Sequence, residues 1–101
     1  MALEPLSQKE IEDRLRELPG WAVTGDRLGR TFRLDGHFAA AALVLAIAAV
    51  QEELGHHADL TLGYDTVALA VNTHSAGGSV TAKDFALAER VRDLAPGLGA
   101  H

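Results

Sequence analysis

The chain has no cysteine. That excludes disulfides, thiolate metal sites and cysteine nucleophiles, and it leaves no bridge from which a redox compartment can be read. Basic residues are scarce as well: nine Lys+Arg stand against fourteen Asp+Glu, a net charge of −5. A nucleic-acid binder needs a basic face, so no nucleic-acid partner is expected. Long apolar runs are missing too. The longest, Phe38–Val50, has thirteen residues, against roughly 20 for a bilayer-spanning helix, so no membrane partner is expected. Met1-Ala2-Leu3-Glu4-Pro5 has no basic stretch followed by an apolar one, and no signal peptide is read there. There is no internal repeat. A soluble cytoplasmic protein is the expectation.

What remains is an ordinary globular composition. The 101 residues are 48% hydrophobic and 23% charged, which suits one folded domain with one core. Ser7-Gln8-Lys9-Glu10 reads as a capping box that opens a helix carrying Ile11, Leu15 and Leu18, and Pro19-Gly20 stops it. Trp21–Thr24 and Leu28–Leu34 then form a hairpin around Gly25-Asp26-Arg27. Leu28, Arg30, Phe32 and Leu34 face one way, and Gly29, Thr31 and Arg33 the other. Trp21 is most simply a core residue.

The second helix is expected over about His37–Leu54, with Gly55 as its left-handed cap. It is apolar around most of its circumference, so it must be covered on more than one side. Self-association as a homodimer or homotetramer follows as an expectation. Asp59–Tyr64 and Thr66–Thr73 make a second strand pair, and Ser75–Val80 a loop. Thr81-Ala82-Lys83-Asp84 caps a third helix ending near Leu94, and the last residues are expected to be a frayed tail. The order is αββαββα: an α+β domain with a four-stranded antiparallel sheet and helices on one face.

Five histidines are present, and three of them, His56, His57 and His74, fall at ends of elements, where sites are commonly built. Imidazole both takes and gives a proton near neutral pH, so the cluster suits a reaction that removes one proton and delivers another. A His-His pair after a helix also fits a solvated loop, with one ring bonding the last carbonyls. His37 and His101 look structural or incidental.

The spacing is more specific. Glu52, three residues, His56-His57, then Tyr64, His74 and Asp84 resembles the signature of the pterin-4a-carbinolamine dehydratase family, over about residues 7–95. Leu18-Pro19-Gly20-Trp21 and the Phe32–Phe38 stretch are similar to that family's junctions between elements. The resemblance implies a dehydratase that converts 4a-hydroxytetrahydropterin to quinonoid dihydropterin and water, without metal or organic cofactor. It implies His56, His57 and His74 as catalytic acid and base groups. It implies Glu52 and Asp84 as substrate-binding residues, Glu52 placing the first histidine or the pterin. Asp84 is also explained as the N3 member of its capping box, Glu52 as an exposed carboxylate, and Tyr64 as packing.

Ala58 stands where the family signature has proline. Restoring proline is expected to be tolerated, because it restricts the unfolded chain. Two other readings stand beside the enzyme. One is a non-catalytic interaction module of the same family. The other is a metal site on His56, His57 and His74, which is disfavoured because adjacent histidines rarely point at one ion.

Overall fold

The computed structural model describes residues 4–101. Its elements are α1 (Gln8–Leu15), β1 (Ala22–Thr24), β2 (Arg27–Arg33), α2 (His37–Leu54), β3 (Asp59–Leu62), β4 (Thr66–Val71) and α3 (Ala82–Leu94). Short 3-10 turns occupy His74–Ala76 and Ala95–Leu98. The strands form one antiparallel sheet in the order β1-β2-β4-β3, with the helices on one face. This is the α+β architecture expected from the sequence.

The local signals act as their chemistry requires. At the start of α1 the Glu10 amide donates to Ser7 Oγ at 3.1 Å, and the Ser7 amide donates to Glu10 Oε1 at 3.0 Å. These bonds to Ser7 hold the Glu10 carboxyl below the usual carboxylate range. At the other end of the fold, Gly55 closes α2 at φ +64°, a conformation that costs glycine no Cβ clash.

Alternation along the strands sorts the two faces of the sheet. Leu28, Phe32, Val67, Leu69 and Val71 are buried, while Thr31, Arg33, Asp59 and Thr61 are exposed on the other side. The buried set meets Ala40, Leu43, Ile47 and Val50 of α2 and Phe85, Leu87, Ala88 and Val91 of α3 in one core. By length and composition alone α2 is apolar enough to cross a bilayer, but here its inner face is spent on the core. Its outer face is left bare, with Phe38 89% and Leu45 73% exposed. Trp21 is buried, edge-on to Phe32 at 6.0 Å between centroids.

Three details differ from the sequence expectation. β3 stops at Leu62 and β4 at Val71, because Gly63–Asp65 turn the chain and Thr73 leaves the ladder to bridge Ser79. His74 therefore starts a 3-10 turn and does not close the strand. The end of the chain is not frayed: after its 3-10 turn it returns so that Arg33 and His101 exchange backbone bonds of 2.8 and 2.9 Å.

Candidate active site

The sheet register brings the distant histidines together. Asp59 at the start of β3 lies opposite Ala70 near the end of β4. An antiparallel pair continued past these ends carries His57 and His56 alongside Asn72 and Thr73. The first turn of α3 then closes over the same corner. The result is a pocket of about 330 Å³ lined by Gly55, His56, His57, Asn72, Thr73, His74, Ser75 and Lys83. A larger hollow of about 500 Å³ lies at β1 and β2 and includes Arg27, Gly29 and Thr31. Among the described residues it has neither a histidine nor a carboxylate in its wall, whereas three histidines line the smaller one.

His57 and His74 stand exposed in the pocket. His56 is different. Its side chain is only 11% exposed, and its Nε2 lies 2.6 Å from Asp84 Oδ1. Asp84 is fully buried. Its other oxygen, Oδ2, accepts from the Thr81 amide at 2.7 Å and from the Thr73 hydroxyl at 2.9 Å. A charge this deep is tolerable only with such partners. The capping-box explanation of Asp84 is met by Oδ2, while Oδ1 is turned to His56. Both of its oxygens are engaged by protein groups, and it is not among the residues that line the pocket.

Glu52 sits exposed on the last turn of α2 and is not part of the pocket lining. Its neighbour Glu53 bonds Arg90 of α3 at 2.6 Å. Tyr64 lies at the hairpin tip between β3 and β4, at the opposite end of β4 from His74. It is 78% exposed and stacked on His37, whose Nδ1 donates to the Gly63 and Tyr64 carbonyls at 3.1 and 2.9 Å.

Ala58 carries an interaction that a proline lacks. Its amide donates to Gln51 Oε1 at 2.7 Å, and the Gln51 backbone carbonyl accepts from the Gly55 and His56 amides. Gln51 therefore ties the end of α2 to both sides of the His-His pair. The expectation that proline is tolerated at this position is corrected by this bond.

Sequence reasoning did not single out Gln51, Asn72, Thr73, Ser75 or Lys83. The adjacency of Thr73 to His74 and the Thr81-x-x-Asp84 box were the available signals for the buried network. Among the described residues no carboxylate lines the pocket, while Lys83 and three imidazoles do. Among the described residues, no three His, Asp or Glu side chains are grouped to hold a metal ion.

Comparison with known proteins agrees with the spacing. The family profile described as pterin 4 alpha carbinolamine dehydratase matches residues 4–94. A Streptomyces avermitilis protein with the provisional name pterin-4-alpha-carbinolamine dehydratase is 71% identical over 100 residues, covering 99% of each chain. A Streptomyces coelicolor protein of the same provisional name is 65% identical over 101 residues, covering 100% of each. Among solved structures, the transcriptional coactivator/pterin dehydratase of Brucella melitensis superposes with a TM-score of 0.81 at 27% identity, covering 94% of this chain and 98% of that one. A pterin dehydratase-like RuBisCO assembly factor of the alpha-carboxysome superposes at 0.62 with 26% identity, covering 74% and 88%. The chain belongs to the pterin 4 alpha carbinolamine dehydratase family.

Proposed function

We propose that the protein is a dehydratase of 4a-hydroxytetrahydropterin, working by histidine acid and base catalysis in tetrahydrobiopterin recycling. The observation that carries this reading is the meeting of His56, His57 and His74 on one pocket, with His56 held from behind by a buried carboxylate. In the reaction a proton leaves N5, the C4a–oxygen bond breaks, a C4a=N5 double bond forms, and the departing hydroxyl takes a proton to leave as water. Base and acid must act on neighbouring atoms, and two or three imidazoles at one pocket supply them without metal or organic cofactor. Asp84 serves as a positioning group for His56. Lys83 and the imidazoles give the pocket donors for an oxygen-bearing pterin ring.

The same reading places the enzyme in the cytoplasm as a homodimer or homotetramer, with the bare outer face of α2 as the surface that is covered. A non-catalytic interaction module is the competing reading, favoured by the coactivator and assembly-factor descriptions of the two solved relatives. A stopped assay of 4a-carbinolamine loss, with and without the protein, separates them. Acceleration that is lost on His74→Ala supports the enzyme, and no acceleration by folded protein removes it.

A further inference from the structure

We infer that Thr81 and Thr73 are positioning residues that fix the proton of His56 on Nε2, making Nδ1 the atom through which His56 exchanges protons with the pocket. The argument is a count of donors. The Lys83 amide can only donate, and it does so to Thr81 Oγ1 at 3.2 Å. Thr73 Oγ1 lies 2.9 Å from Asp84 Oδ2 and donates its single proton there. The 2.7 Å contact between the two hydroxyls must then use the proton of Thr81. A one-way chain results, Thr81 to Thr73 to Asp84, with every hydroxyl orientation fixed.

The Thr81 amide adds a second donor to Oδ2 at 2.7 Å. Two donors on Oδ2 leave no proton on that oxygen, so a shared proton can lie only between Oδ1 and Nε2. A carboxylic acid gives up its proton more readily than an imidazolium does, which leaves Oδ1 as the acceptor facing His56. At 2.6 Å the proton between them belongs to Nε2. Among the described residues His56 Nδ1 has no hydrogen-bond partner, and it is not among the enclosed unpaired atoms. It is therefore open at the pocket wall that His56 forms. The other titratable groups at this wall, His57, His74 and Lys83, make no hydrogen bond to the His56 ring, so Asp84 alone sets its proton.

Backbone geometry holds the chain in place. Thr81 is the N-cap of α3, and the Thr73 amide is fixed to the Ser79 carbonyl at 2.9 Å. The catalytic meaning rests on the dehydratase reading above, whereas the position of the proton does not.

The test is long-range proton–nitrogen NMR of histidine-labelled protein, in the pH range where His56 is neutral. The native spectrum should show His56 with Nε2 protonated and Nδ1 bare. Thr73→Val should populate the other tautomer and lower kcat about tenfold, the scale of one lost hydrogen bond in a network. KM should stay within about twofold, because the hydroxyl of Thr73 is engaged by Thr81 and Asp84. Thr73→Ser should restore both readings. A native His56 protonated on Nδ1, or a folded Thr73→Val variant with unchanged tautomer and kcat, overturns the inference. Should valine prevent folding, the native spectrum decides alone. If no form turns over the pterin while the native tautomer is as stated, the proton placement stands and the dehydratase reading falls.

Discussion

The Ala58 amide donates to Gln51 Oε1 at 2.7 Å across the end of α2, and Gln51 is only 6% exposed. A proline at this position removes the donor and leaves a buried amide oxygen unpaired. Ala58→Pro should therefore destabilise by about 1–3 kcal/mol in urea melts. In a Gln51→Leu background the same change should cost less, since the orphaned acceptor is gone. Equal melting of Ala58→Pro and the parent chain would show that the bond is dispensable.

Removing the histidines tests the proposed chemistry. His57→Ala and His74→Ala should each lower turnover by roughly 10²-fold or more, the worth of a positioned acid or base. The double variant should lose less than the product of the two, because groups serving one step are not additive. Chelators should leave the rate unchanged. Near-normal dehydration by a folded His74→Ala protein would show that the roles are wrongly assigned.

The bare face of α2 predicts assembly. Phe38 and Leu45 expose most of their surface, which a lone small domain rarely leaves uncovered. Sedimentation at micromolar concentration should show a dimer or larger, and Leu45→Glu should shift it toward the 10.7 kDa monomer. A parent protein that sediments as a clean monomer contradicts this prediction.

Acid should weaken one tie between α2 and α3. The Arg90 guanidinium bonds Glu53, and that bond together with its charge holds the Glu53 carboxyl below the usual carboxylate range. A lowered folded value means the contribution is full above the unfolded value and is lost as pH falls through the folded one. Arg90→Leu should return Glu53 to ordinary titration, followed by carboxyl carbon NMR. High salt should do part of the same in the parent chain, since both groups are exposed. A Glu53 curve that Arg90→Leu leaves unmoved refutes the assignment.

What could be read in the sequence was local. Gly55 and the apolar run placed α2 at His37–Leu54, and the Ser7 and Thr81 boxes placed the starts of α1 and α3. The pocket was visible through spacing, because His56, His57 and His74 recur at family-like intervals. The rest depends on directions that no local pattern carries. The capping role of Asp84 is a relation over three residues, but its second oxygen reaches His56 across twenty-eight. Gln51 looks like one more polar residue at a helix end until its side chain turns inward to Ala58. His101 reads as a loose end because its partner, Arg33, lies far back along the chain, in the second strand.

That last pairing bears on how the protein should be handled. β1 covers β2 only as far as Gly29, so the stretch up to Arg33 has an uncovered side, and His101 stands against its end through two backbone bonds. Unpaired strand edges recruit other chains. Deleting the final residues should therefore turn a soluble sample turbid rather than merely shorten it, with light scattering as the readout.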